Sequence, residues 1–215
     1  MKKIIILIAA VALCAISCDQ SQLRQPQSTV IPDLSDLDKE IRQAVERGAN
    51  LEERRRQLPA IISAFAKRTT PQRARRLGVL CYLKTLDTPL MPMDLAEIAL
   101  AETGSHGLSA RAVSYRGAMG VWQLMPSRAR SHGYSPEDMV NDEKCAEAAV
   151  RELLTKIQMA KGNLQRAKKL YCGVGPQADA YEVKRKRFRQ EIFAEMMKYP
   201  QMTAGNASDL ILRPS

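Results

Sequence analysis

The chain contains very few of the residues that bind transition metals. Among its 215 residues there are only two histidines, His106 and His132, and five cysteines. A zinc site needs several such ligands at short characteristic spacings. Cys14 and Cys18 lie within or just after the apolar N-terminal run, and no pair among the remaining cysteines and histidines has such a spacing. The sequence therefore predicts that no metal ion is bound.

Long apolar runs are also scarce, and the clearest one lies at the N-terminus. Residues 4–16 are apolar and follow two lysines, but the run is too short to span a bilayer comfortably, so we predict a signal peptide over residues 1–17. Residues 15–18 resemble a bacterial lipobox, so we expect cleavage before Cys18 and diacylation of its thiol. This lipid would anchor the protein in the cell envelope on a membrane facing the periplasm, and Asp19 resembles an inner-membrane retention signal. The alternative is ordinary secretion, in which the cysteine is incidental.

The chain has fewer acidic than basic residues. The chain has 33 Lys and Arg against 23 Asp and Glu, which gives a formal net charge of +10. Such an excess predicts an anionic partner, and for an exported protein peptidoglycan carboxylates or other envelope polyanions fit better than nucleic acid. Part of the excess lies in a helical stretch at residues 184–189, KRKRFR. This cluster is interpreted either as a solvated helix face or as a surface that docks on the wall or membrane.

Helical periodicity runs through most of the chain, so the predicted fold class is mainly α. Residues 18–32, rich in Gln, Ser and Pro, predict a flexible tether, and residues 33–88 predict a helical extension. A second helical domain is expected over residues 89–200, followed by a disordered tail at 201–215. Within the extension, we expect one helix to stop at Gly48, the next to be interrupted at Pro59, and a further helix to begin at Pro71.

A short helix over residues 94–102 carries the most informative acid. Helical spacing places Glu102 on an apolar stripe with Leu95 and Ile98, and Glu97 on the opposite face, where water can solvate it. Burial disfavours a charged carboxylate and raises its pKa toward the working pH, which is what a general acid needs. Glu102 is therefore the candidate catalytic acid. The alternative is a helix-end glutamate that merely reaches the surface.

Two motifs follow this helix. The run from Ser114 to Pro126 reads SYRGAMGVWQLMP, and residues 171–176 read YCGVGP. Together with Glu102 they resemble the soluble-lytic-transglycosylase (SLT) family, which has the goose-type lysozyme fold, over roughly residues 92–196. The positions that match the family pattern are Glu102, Ser114, Gly117, Ala118, Gly120, Gln123, Met125, Pro126 and Tyr171. The chain departs from the pattern at Thr103, where serine is usual, at Cys172, where asparagine is usual, and at Val174, where a small hydroxyl residue is common.

This resemblance implies a lysozyme-like catalytic domain within residues 89–200 that cleaves peptidoglycan. It implies that Glu102 protonates the glycosidic oxygen between N-acetylmuramic acid and N-acetylglucosamine, then takes the muramyl 6-hydroxyl proton to give a 1,6-anhydro product. It also implies substrate contacts from Thr103, Ser114, Gln123 and Tyr171, and no cofactor. Two alternatives stay open: a muramidase that hydrolyses the same bond, and a non-catalytic lipoprotein that only binds peptidoglycan.

Three residues near these motifs each have two interpretations. Cys145 and Cys172 are expected to form a disulfide in an exported protein, or to be two unpaired cysteines that pack as small hydrophobic side chains. Trp122, the only tryptophan, offers its ring to a sugar or anchors the core.

Overall fold

The computed structural model describes residues 34–198, with side chains from Asn50 onward. The predicted signal peptide, the lipidation site at Cys18, the tether and the tail at 201–215 lie outside these residues and stay predictions. The chain divides into two units, 1–40 and 41–215; the start of α1 lies in the first, and the packing and the site described below belong to the second. Among the described residues, no helix combines the length and the apolar character needed to cross a bilayer.

Seven helices form the described fold. Their bounds are α1 Leu34–Ala66, α2 Pro71–Lys84, α3 Pro92–Thr103, α4 Pro126–Ser131, α5 Asp142–Met159, α6 Leu164–Cys172 and α7 Pro176–Lys198. Short 3-10 turns lie at Gly104–His106 and Pro136–Val140. The predicted mainly α class is confirmed: the described residues contain no strand, only isolated β-bridges that join Met119 to Val113 and to Leu124.

Local sequence signals explain where several helices begin. Thr70 caps α2 and accepts a hydrogen bond from the amide of Arg73, with Pro71 in the first turn. Asn141 and Asn163 cap α5 and α6 through their side-chain oxygens. The carboxylate of Asp94 accepts the Met91 amide at 2.8 Å and so closes the start of α3.

The extension differs from the prediction in one respect. Gly48 does not stop a helix and Pro59 does not break one, since α1 runs continuously through both. A proline inside a helix lacks one amide donor, and its ring crowds the carbonyl four residues earlier. Burial of the neighbouring Leu58, Ala60 and Ile61 offsets this cost.

Helix α3 forms the centre of the core. Helices α2, α5 and α7 pack against it, and α6 packs against α5 and α7. Every residue of α3 is buried except Glu102, which is partly exposed. A helix that is covered on all sides has no solvent face, so its one partly exposed acid lies at a defined opening in the core.

Candidate active site

A cleft of about 540 Å³ opens beside the C-terminal end of α3. Its wall includes Glu102, Ser114, Ala118, Gln123, Met125, Tyr171, Cys172 and Val174. The fold therefore brings Glu102, Ser114, Gln123 and Tyr171, which the sequence predicts as site residues, to one cavity. Among the described residues that line it, Glu102 is the only carboxylic acid.

The Glu102 side chain is held mostly out of water at the last turn of α3. Burial raises the pKa of its carboxyl from an ordinary 4.5 to about 7, against smaller lowering effects from the Tyr181 hydroxyl and the Lys184 ammonium. A large fraction of Glu102 is therefore protonated at neutral pH and can donate a proton into the cleft. The predicted helix end is also correct, because α3 stops at Thr103 and is followed by the Gly104–His106 turn.

Tyr181 is a site residue that sequence reasoning missed. Its hydroxyl is buried and makes no well-formed hydrogen bond with any group in the described part of the chain. The hydroxyl nevertheless lowers the pKa of the Glu102 carboxyl, and burial together with the Glu102 charge raises the pKa of Tyr181 itself. A signal was present: Ala178, Tyr181 and Arg185 are spaced at three and four residues, which places them on one inward face of α7.

Residues 114–126 form a tight, bridged loop that lines the same cavity as Glu102. The Met119 amide donates to the Leu124 carbonyl at 2.9 Å and the Leu124 amide donates back at 2.9 Å. Gly120 has φ +78°, and a Cβ atom there would lie 2.3 Å from the Met139 carbonyl oxygen and 2.7 Å from the Cys145 sulfur. Only glycine fits at this position, because both the left-handed backbone and the close approach exclude a side chain.

Three hydrogen bonds attach this loop to the helices. The Trp122 indole donates to the Leu95 carbonyl at 3.0 Å, and the Tyr171 hydroxyl donates to the Trp122 carbonyl at 2.9 Å. The Thr103 hydroxyl donates to the Val121 carbonyl at 2.8 Å. The loop is thus held between α3 and α6, with Trp122 fully buried. Of the two interpretations of Trp122, the core anchor is correct.

Thr103 is a correction to the predicted substrate contacts. Its side chain is buried, it does not line the cleft, and its hydroxyl is used by the Val121 carbonyl. The physical reason is helical phase, because the residue after Glu102 lies about 100° further around α3 and turns into the core. In this structure Thr103 holds the loop and does not line the cleft.

Gln123 combines an unusual backbone with a constrained side chain. Its φ is +52°, in the left-handed region that non-glycine residues rarely adopt. Its amide nitrogen donates to the Gly120 carbonyl at 2.8 Å and to the Ala112 carbonyl at 3.2 Å. Both amide donors are therefore committed to the loop, and the amide oxygen is the group that Gln123 offers to the cleft.

Residues 88–192 match the family model described as the transglycosylase SLT domain. The chain carries an SLT domain. The matched segment contains every residue named above as lining the cleft, and it supports a peptidoglycan-cleaving function of the lytic-transglycosylase type. Comparisons with curated proteins and with solved structures found no match.

The SLT domain also contains a largely buried cluster of charges, which we call the ion cluster: Asp94, Glu97, Lys168, Arg185 and the partly exposed Arg189. The Lys168 ammonium lies 2.5 Å from Asp94 and 2.7 Å from Glu97, and the Arg185 guanidinium lies 2.5 Å from Glu97. Burial alone would raise the pKa of Asp94, but Lys168, the Met91 amide and Arg189 together lower it. The cluster joins α3 to α6 and α7, the helices that supply Glu102, Tyr171 and Tyr181.

The ion cluster corrects two sequence predictions. Glu97 is fully buried and not solvated, because α3 is covered on the side opposite Glu102 as well. The basic stretch at residues 184–189 is not a uniformly solvated face either, since Arg185 is fully buried and Arg189 turns toward Asp94. In both cases the oppositely charged partner is distant in sequence and close in space.

The three cysteines of the SLT domain and its flanking helix α2 are free thiols. Cys81 and Cys145 are buried, whereas Cys172 is exposed at the cleft. The predicted Cys145–Cys172 disulfide is therefore wrong in this structure: Cys145 packs beneath the loop at Gly120, while Cys172 ends α6 on the outside. Within the described residues, no group of three or more His, Cys, Asp or Glu side chains is arranged to hold a metal ion.

Proposed function

We propose that the SLT domain cleaves the β-1,4 bond between N-acetylmuramic acid and N-acetylglucosamine by a non-hydrolytic route, with Glu102 as acid and then base. One observation supports this proposal above all: Glu102 is the only acid among the described residues that line a sugar-sized cleft. Its carboxyl is mostly buried and has a pKa of about 7. Conventional glycosidases place two carboxyls about the scissile bond.

The first step is proton donation. Protonated Glu102 gives its proton to the glycosidic oxygen as the C1–O bond breaks, and the muramyl C1 acquires oxocarbenium character. The Tyr181 hydroxyl, next to Glu102, stabilises the carboxylate that remains. The Gln123 amide oxygen and the Ser114 side chain lie on the wall where sugar hydroxyl and N-acetyl groups would bind.

The second step uses the same carboxylate. Glu102 removes the proton from the muramyl 6-hydroxyl as that oxygen bonds to C1, which closes a 1,6-anhydro ring and returns the enzyme to its protonated form. No water is consumed and no second carboxyl is needed. Because the first step requires the protonated acid, kcat/KM is expected to fall above about pH 7.

Digestion of purified sacculi followed by mass spectrometry of the muropeptides tests this proposal. Wild-type protein is expected to release 1,6-anhydromuropeptides, and Glu102→Gln, which keeps the size of the side chain, is expected to release none. Products heavier by one water would instead indicate a muramidase. Binding to sacculi without turnover by the wild type would indicate a protein that only binds peptidoglycan.

A further inference from the structure

One wall of the cleft ends in a turn that has no evident role in folding. The Gly117 amide donates to the Ser114 carbonyl at 2.9 Å, and the Ser114 amide donates to the Ala118 carbonyl at 2.8 Å. The Ser114 hydroxyl also accepts the Ala118 amide at 3.0 Å. These bonds fix both ends of a four-residue turn, so its two central residues, Tyr115 and Arg116, are presented on a defined backbone.

The side chains at the tip of this turn are left to solvent. Tyr115 is 87% exposed, the largest exposed fraction among the exposed large hydrophobic side chains of the described residues. Arg116 is exposed and makes no hydrogen bond or ion pair within the described part of the chain. An exposed aromatic ring beside an unpaired guanidinium contributes little to folding stability. Such a pair is typical of a surface that binds something else.

Both residues face the same cavity as Glu102. Tyr115 and Arg116 belong to its wall, and the guanidinium is close enough to the far wall to act electrostatically on the Cys172 thiol. Lys184 adds a second cation that acts on Glu102 and Cys172. Glu102 is the only acid among the described residues that line the cleft. When Glu102 is protonated, as proton donation requires, it carries no negative charge, so the cleft is positively charged.

We propose that Tyr115 and Arg116 form a subsite for a muramyl residue that carries a carboxylate, with the ring against the sugar face and the guanidinium paired to the anion. This inference rests on the proposed function and names the substrate feature that the enzyme selects. Arginine offers two parallel N–H donors to a carboxylate, which gives direction as well as charge attraction. Two sources have this chemistry: the lactyl carboxylate of a glycan without stem peptide, and a carboxylate of the stem peptide itself.

The test compares kcat/KM on four soluble glycan preparations. These are peptide-bearing chains, the same chains with their peptide carboxylates amidated, chains stripped of peptide with the lactyl carboxylate free, and stripped chains with that carboxylate converted to a methylamide. Arg116→Gln is expected to lower kcat/KM about tenfold on the anionic form that the subsite recognises, and by less than about twofold on its neutralised counterpart. The source is identified by which pair of substrates shows the difference.

A matched control is available in Arg130, which is also exposed and unpaired among the described residues but does not line the cleft. Arg130→Gln removes the same charge and is expected to leave all four rates unchanged. Tyr115→Ala is expected to raise KM on all four substrates, because stacking on a sugar does not depend on its charge. Thermal midpoints of the Tyr115 and Arg116 variants should equal that of the wild type, since both side chains are exposed.

The outcomes separate this inference from the proposed function. If wild-type protein cleaves none of the preparations, the proposed function fails. If the wild type releases 1,6-anhydro products but Arg116→Gln lowers kcat/KM equally on anionic and neutralised substrates, or behaves like Arg130→Gln, the subsite is refuted while the proposed function stands.

Discussion

Replacing Glu97 by glutamine is expected to destabilise the SLT domain by about 3–5 kcal/mol. The carboxylate is fully buried and lies 2.7 Å from the Lys168 ammonium and 2.5 Å from the Arg185 guanidinium. Glutamine keeps the shape but removes the charge, so two buried cations lose a shared partner and face an amide that also donates. At ~2–4 °C per kcal/mol for a protein of this size, the melting midpoint should fall by about 10 °C.

Urea denaturation of the wild type and Glu97→Gln at pH 7 measures this difference directly. Glu52→Gln is the matched control, since Glu52 pairs with Arg55 in solvent, with side-chain exposures of 54% and 46%, and should cost less than about 1 kcal/mol. A double variant, Glu97→Met with Lys168→Met, removes one charge of each sign and should recover part of the loss. If Glu97→Gln lowers the free energy of unfolding no more than Glu52→Gln does, the ion cluster is accessible to water and the predicted penalty for unpaired buried cations is wrong.

Three further predictions concern the cleft. As pH rises from 4.5 to 7, the free energy of unfolding of the wild type should fall by about 3 kcal/mol relative to that of Glu102→Gln. The reason is that the folded state binds the Glu102 proton more tightly than the unfolded state does. An equal change with pH in the two proteins would contradict this. Tyr181→Phe should move the alkaline limb of kcat/KM to higher pH by removing a hydroxyl that favours the carboxylate, whereas Tyr171→Phe should not move it. In thermal denaturation, Gly120→Ala should lower the free energy of unfolding by several kcal/mol, and Gly117→Ala by only about 1 kcal/mol. Both glycines have positive φ, but only at Gly120 would the added Cβ clash with a backbone carbonyl. Equal costs would remove the steric explanation.

Much of the fold could be predicted from the sequence, because its signals are local. Apolar residues at helical spacing over residues 142–159 and 164–171 are enough to predict two helices, and the structure has α5 Asp142–Met159 and α6 Leu164–Cys172 there. Pro71 marks the start of α2 as expected. Glu102 stands out because its own helix shows a carboxyl on an apolar stripe. The motif residues that follow can be aligned with a known family.

The remaining features depend on partners that the sequence does not identify. Helical phase places Glu97 opposite Glu102, but it cannot show that α7 covers that side, or that Arg185, 88 residues away, supplies the counter-charge. Thr103 illustrates the same difficulty on a smaller scale. Helical phase turns it away from Glu102, but its hydrogen-bond partner, the Val121 carbonyl 18 residues away, is identified only by the folded loop. The sequence gives no reason to connect Tyr181 with Glu102, because the two residues come together only when α3 and α7 pack against each other.

The proposed mechanism requires that Glu102 exchanges its carboxyl proton near neutral pH inside the cleft. A carbon-13 NMR titration of glutamate side-chain carboxyls measures this, with the Glu102 signal assigned by its absence from Glu102→Gln. A titration midpoint near pH 7 is the predicted result. A midpoint near 4.5, the ordinary value for a solvated glutamate, would contradict the account, because the residue would then be ionised where the enzyme must donate a proton.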